Sequence, residues 1–467
     1  MKKILLPIAL ITVIGTTSSL FSSPHALNPS SSDGEKTRQL SEEILKHGQA
    51  FANLRSLVSG GSRLCGSSGA AHAVEWAQAK LESYGLDSVW LQPVKVPVWI
   101  RGDHEVAAVV VGASSQALRI AALGNSGGTP AGGVEAEVIE VKSLEEAQRL
   151  GSALKGKIVF YNRPMDPSLK DTFEAYSGAV DQRTSGPAMA SRYGAVGALV
   201  RTVTTLTDDA HPHTGVTHFG TGSHVIPAAA ISTHDANLLS NLLMDSHGGS
   251  VRVRLELSAH RQADTTSYNV IGELTGSELS REIVAVGGHL DSWDLAPAAH
   301  DDGAGVVQSI EVLRALKVLG IRPKRTVRAV LFMCEEFGGI GAFEYARQSQ
   351  LRGERHLVAT ESDRGGFKPQ GFAVQDPTGR GLARLHEWSA YLAPLQADWA
   401  AEGESGTDVE PLSDQGTVTF GLVTESAHYF DLHHSELDQL TAVDPQELQL
   451  GAAAMAVLTY LAAEQGI

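Results

Sequence analysis

Residues 283–306 read IVAVGGHLDSWDLAPAAHDDGAGV, and the fold follows from how this stretch is parsed. Ile283 to Val286 is a short apolar run with the character of a buried strand, and it passes through two glycines into His289 and Asp291. A helical pattern then begins at Asp302 and continues to Leu319, with Val306, Ile310, Leu313 and Val318 on one face. A buried strand, a loop and an amphipathic helix in that order are the repeating unit of a three-layer α/β domain. In open sheets of this kind, side chains that follow the carboxyl ends of strands are the ones that meet ligands.

The same unit recurs outward from this stretch. Thr326 to Met333 reads as a strand that runs into Cys334-Glu335-Glu336, and Gly339 to Gln350 as a helix. Leu357 to Thr360 is a strand leading to Asp363, and Gly421 to Thr424 is another. His433-His434-Ser435 lies in a loop ahead of the last helix, which Asp444-Pro445-Gln446-Glu447 opens with an N-cap, a proline at the first position and an acid at the third. Upstream, 40–60 and 69–85 read as helices, and Val94, Val96, Val98 and Ile100 alternate as a strand. Residues 105–260 differ: short β-like runs are separated by Gly, Ser and Pro turns, with helices expected at 186–194 and 234–243. The expectation is a catalytic domain from 38–104 and 261–467, interrupted by a mostly-β insert at 105–260.

Taken alone, a Glu pair or a His-x-Asp is an ordinary surface feature. Five such groups, each at a strand end or in an adjoining loop, form a nitrogen and oxygen donor set suited to two divalent ions, with Zn²⁺ the best match. Two ions sharing one carboxylate stand about 3.5–4 Å apart. The loop histidines His211, His213, His218 and His224 are a weaker cluster, read as cleft lining before metal site.

Composition narrows the classes. The chain has 467 residues, 42% hydrophobic, which excludes a disordered chain. With 37 basic and 53 acidic residues the net charge is −16, which argues against binding nucleic acid or anionic lipid through bulk charge. Two cysteines, Cys65 and Cys334, exclude a disulfide framework or a thiolate zinc knuckle; a single disulfide and two buried thiols both stay open. Met1-Lys2-Lys3 followed by the apolar run Ile4 to Ile14 reads as a secretory signal peptide over 1–25, too short for a stable membrane anchor, with a linker at 26–37. That predicts a secreted or periplasmic protein.

The runs GGHLDSWDLAPAAHDDGAGV, LFMCEEFGGIGAFEYA, ESDRGGF and YFDLHHSELDQL together resemble metallopeptidase family twenty-eight, the co-catalytic di-zinc exopeptidases. PHTGVTHFGTGSHVIPAAAIS resembles a protease-associated insert. The resemblance implies a three-layer α/β/α domain with a mixed central sheet, two Zn²⁺ per chain and a peptide substrate. It implies His289 and Asp363 on one zinc, Glu336 and His434 on the other, and Asp301 bridging. Glu335 would be the general base, and Asp291 would hold the His289 imidazole from behind. His433 and Tyr429 are the candidate donors to the oxyanion, and Asp301-Asp302 the candidate cis peptide. Arg364 and Cys334 depart from the usual small residues at their positions. Arg364 is open between a substrate carboxylate and a structural pairing. Carboxypeptidase, dipeptidase and aminopeptidase activities all fit this pattern. A one-zinc glutaminyl cyclase and an inactive binding protein on the same scaffold fit less well, because no ligand is missing. The fold's exposed edges leave a homodimer open.

Overall fold

The computed structural model describes residues 32–111, 114–246, 249–376 and 378–467. The expected signal peptide lies outside the described residues, as does the linker up to residue 31. The rest of that linker is corrected: residues 32–37 belong to a helix, Ser32–His47. The polar run SSDGEK reads as a linker in isolation. In the fold Asp33 accepts hydrogen bonds from Tyr460 Oη at 3.0 Å and Gln465 Nε2 at 2.9 Å, while Leu40 and Ile44 are fully buried. The helical reading of 40–60 likewise resolves into two helices, Ser32–His47 and Ala50–Val58.

The central sheet has eight strands in the order Ser88–Ile100, His260–Leu274, Arg325–Phe332, Leu279–His289, Arg355–Glu361, Val418–Thr424, Pro369–Gln375, Trp399–Glu402. It is mixed, as expected, and the four strands from Arg325–Phe332 to Val418–Thr424 are mutually parallel. Alternate residues face opposite layers. Val284 and Val286 pack with Leu40, Leu313 and Met455 on one face, whereas Ala285 packs with Ala342 and Tyr345 on the other. The helix Pro445–Gln465 is buried continuously from Gly451 to Ala463, its alanines allowing close approach to the sheet. Among the described residues no helix is long and apolar enough to cross a membrane. Each fully buried Leu or Met here contributes about 1.5–3 kcal/mol.

A second sheet of eight strands is built between Glu105 and Leu257. The chain leaves the central sheet at Ile100 and re-enters at His260, which are register partners, so this sheet hangs from one antiparallel pair. Its connections hold more helix than the sequence suggests: Leu144–Leu150, Thr172–Ser177, Asp181–Thr184, Gly186–Arg192 and Thr233–Asp245. The two shortest lack long-range periodicity, so no pattern marks them.

Candidate metal centre

The four parallel strands aim at one point. Leu279–His289 ends on His289, Arg325–Phe332 leads to Glu335 and Glu336, Arg355–Glu361 leads to Asp363, and Val418–Thr424 leads to the loop of His433 and His434. Asp301 joins them from the turn ahead of the helix Ala304–Val318, and its peptide bond to Asp302 is cis, as expected.

His289 Nε2 lies 3.2 Å from Asp301 Oδ1 and 3.3 Å from Asp363 Oδ1. His434 Nε2 lies 3.2 Å from Asp301 Oδ2 and 3.1 Å from Glu336 Oε2. The two oxygens of Asp301 thus serve two separate imidazoles. Asp301 Oδ2, Asp363 Oδ1 and Glu336 Oε1 are buried and make no hydrogen bond. The contacts have ion-pair distances without hydrogen-bond angles, which is what donors turned toward a shared point look like rather than donors turned toward one another. Buried carboxylates in that state need a cation, and the donor set fits zinc. Asp302 also comes near His289 and Asp363, but both its oxygens are committed, to the amides of His289 at 2.9 Å and Gly305 at 2.8 Å. Gly288 makes that capping possible, since a Cβ there would sit 2.3 Å from Asp302 Oδ2.

Each imidazole is oriented from behind. His289 Nδ1 contacts the backbone carbonyl of Asp291 at 3.0 Å, and His434 Nδ1 the backbone carbonyl of Thr214 at 3.3 Å. A carbonyl only accepts, so each Nδ1 carries the proton and each Nε2 is left with its lone pair. Arg183 Nη1 also stands 3.4 Å from His434 Nδ1, but two donors cannot bond, and the Thr214 contact is the one consistent with Nε2 facing two carboxylates. The contact that Asp291 makes with His289 runs through its backbone carbonyl and not through its carboxylate. Its carboxylate is 3.9 Å from His289 Nδ1 and instead accepts the amides of Cys334 at 2.6 Å, Glu335 at 3.0 Å and Glu336 at 3.4 Å. Three successive amides after a strand end converge on one acceptor, and that claims the side chain.

Electrostatics separate the groups. Burial, with Asp363, Glu336 and Asp291 adding to it and His289 opposing, pushes Glu335 up to about 8. Burial and the neighbouring His434 hold His433 well below the usual histidine range, so it is neutral. His433 stacks on His434 with centroids 3.5 Å apart, and its Nε2 is 3.7 Å from Asp301 Oδ2. Tyr429 is buried beside it.

A cavity of about 880 Å³ opens over the donors, with Glu335, Asp363, Tyr429 and His433 on one side and Phe173, Tyr176 and Arg183, from two short helices, on the other. Arg183 is 5% exposed, gives Nη2 to Tyr176 Oη at 2.7 Å, and has no hydrogen-bond partner for Nε. Among the described residues no carboxylate pairs with it in a salt bridge. Arg364 lies over the Phe173 ring at 4.4 Å on the cavity wall. Cys65 and Cys334 form a disulfide. Among the described residues His211, His213, His218 and His224 form no metal-ligating group of three.

Arg183, Thr214 and Asp438 are missed by sequence reasoning. Asp438 accepts the amides of Ala299 at 3.0 Å, His300 at 2.8 Å and Asp301 at 3.0 Å. Thr214 and Asp438 act through contacts more than a hundred positions away in the chain, and Arg183 through the cavity it lines, so no local pattern marks them.

Residues 269–459 match the model of Peptidase family M28. The chain is 38% identical to Carboxypeptidase Q of Homo sapiens over 406 residues, covering 86% of this chain and 83% of that protein, and 37% identical to Carboxypeptidase Q of Bos taurus over the same shares. The crystal structure of a Peptidase M28 precursor from Shewanella amazonensis superposes with a TM-score of 0.88 at 33% identity, over 93% of this chain and 97% of that one. BSAP, a zinc aminopeptidase from Bacillus subtilis, shares the fold with a TM-score of 0.64 at 19% identity, over 89% and 95% of the two chains.

Proposed function

The chain belongs to peptidase family M28 and is a metallo-exopeptidase, and from that premise we propose that it hydrolyses dipeptides and short peptides with two zinc ions, as a carboxypeptidase or dipeptidase. His289 and Asp363 would hold one ion, Glu336 and His434 the other, with Asp301 shared. When bound, the pair of ions polarises the scissile carbonyl and brings the pKa of water toward ~7. The remaining steps belong to the chain. Glu335 takes the proton from the attacking water and passes it to the leaving amine, a task suited to a carboxyl whose pKa is raised by burial. His433, neutral and buried, and Tyr429 supply donors for the oxygen that becomes negative. The aromatic wall of Phe173, Tyr176 and Phe430 excludes water.

The observation that carries the carboxyl-end reading is Arg183. It is a buried guanidinium on the cavity wall with an unpartnered Nε and no carboxylate of its own. A substrate carboxylate satisfies both the charge and the free Nε. Secretion fits the same reading, since the apolar leader over 1–25 and a disulfide both suit an oxidising compartment.

One dipeptide offered in free, N-acetylated and C-amidated forms tests this by mass spectrometry. Cleavage of the acetylated and free forms marks a carboxypeptidase, and of the free form alone a dipeptidase. Cleavage of the amidated but not the acetylated form would replace the proposal with an aminopeptidase.

A further inference from the structure

Residues 63–65 are 227 to 235 positions from the loops that Arg63 touches, and they reach three of the segments that carry the metal donors. Arg63 is 1% exposed. Its Nε donates to the carbonyl of Leu290 at 2.8 Å, its Nη2 to that of Ala298 at 3.1 Å, and its Nη1 to that of Pro297. Its own amide and carbonyl are taken by Ser292, through Oγ at 3.0 Å and N at 3.2 Å. Leu290 follows His289 directly, and Ala298 stands three residues before Asp301. Two positions along, Cys65 is bonded to Cys334, 269 residues away. Cys334 immediately precedes Glu335 and Glu336 and holds a left-handed φ of 71°, a conformation that a residue with a Cβ leaves readily.

Among the described residues Arg63 has no salt bridge. Burial lowers its pKa, while Asp438, Asp302, Asp291 and Asp301 oppose that at longer range. A buried guanidinium spent on three backbone carbonyls is an arrangement that fixes geometry: one planar fork sets the relative positions of the loops after His289 and before Asp301. The disulfide sets the third position, that of the Glu335–Glu336 turn, from the same short segment.

We propose that Arg63 and the Cys65–Cys334 disulfide are a positioning clasp, which sets the mutual spacing of His289, Asp301 and Glu336 and thereby the affinity for zinc. The clasp rests on the metal-centre reading given above. It predicts that residues touching neither substrate nor metal control metal retention, beyond their part in stability.

The test uses the full-length protein loaded with zinc, alongside Arg63→Lys and the double variant Cys65→Ala/Cys334→Ala. Zinc affinity is measured by competition with chelators of graded strength, together with thermal unfolding and kcat and KM on a dipeptide. In Arg63→Lys the zinc dissociation constant rises by on the order of 10–100-fold, as when groups behind metal ligands are lost. Its kcat falls while KM stays within about twofold. Lysine keeps the charge and does not rescue, because it has no fork. The cysteine variant moves zinc affinity the same way and keeps the inference testable if Arg63→Lys does not fold. Parental zinc affinity and kcat in a variant with a lowered unfolding temperature would reduce the clasp to a structural staple and overturn the proposal. A parent protein that binds no zinc would overturn the metal reading itself, a result distinct from the other.

Discussion

The backbone carbonyl of Thr214 stands 3.3 Å from Nδ1 of His434, and the amide of Thr214 donates to the carbonyl of His434 at 2.9 Å. One residue of a loop between Arg201 and Ala228 therefore grips the candidate metal donor His434 by both its side chain and its backbone. Thr204 Oγ1 adds a bond to the carbonyl of Phe430 at 2.6 Å, and Thr172 Oγ1 one to Ser426 at 2.9 Å. The loops and short helices that accompany the second sheet are part of the site.

Gly215→Ala exploits this grip. A Cβ at Gly215 falls 2.4 Å from the guanidinium carbon of Arg183, at a φ of 142°. Displacement of Arg183 should raise KM for a free-carboxylate dipeptide, with zinc content unchanged by mass spectrometry of the native protein.

Arg183→Gln removes the charge outright. Hydrogen bonds to charged groups contribute about 1.5–3 kcal/mol, so kcat/KM for a substrate with a free carboxyl end should fall on the order of 10–100-fold. The C-amidated form should be affected far less. Equal losses on both substrates would remove Arg183 from carboxylate recognition.

Glu335→Gln keeps the shape and loses the proton carrier. The expected result is a fall in kcat of about 10²–10⁴-fold with bound zinc retained. Parental activity would exclude Glu335 as the base.

Asp301→Asn weakens both halves of the centre, because its two oxygens face different imidazoles. Zinc content should drop toward zero in this variant, whereas His434→Ala should lose one ion selectively. Metal analysis after gel filtration distinguishes the two patterns.

Acid stability should depend on His356. Burial, with Arg328 adding to it, lowers this histidine to about 3, and the ring sits 2.7 Å from Tyr345 Oη and 3.1 Å from Ser349 Oγ. The unfolded chain takes up a proton near pH 6.5 while the folded chain does not, so this contribution to stability is whole above pH 6.5. It is lost as pH falls from there toward 3, by about 1.4 kcal/mol per pH unit. His356→Gln should flatten that limb in denaturant titrations across the window.

The candidate donors are legible in the sequence because His289, Glu336 and Asp363 each follow an apolar run that reads as a buried strand, and such strands present their carboxyl ends together. The helix at 445–465 is legible from its capping residues. What surrounds the donors is not. Thr214 and His434 are 220 positions apart, and Arg63 and Ala298 are 235 apart; the meaning of each depends on a partner that no local window contains. Asp291 shows the limit most sharply. The family resemblance implies that its side chain holds an imidazole, while the turn at Cys334–Glu336 presents three amides to its carboxylate. The start of the first helix fails for a similar reason, since Asp33 is ordered by Tyr460 and Gln465.

The convergence of distant segments on one cavity also has a temporal meaning. A growing chain that has passed Asp363 but not His434 carries an incomplete donor set and an unoccupied grip at Thr214. The cavity is closed only once the segment carrying His433 and His434 has joined the strand ends that carry His289, Glu336 and Asp363.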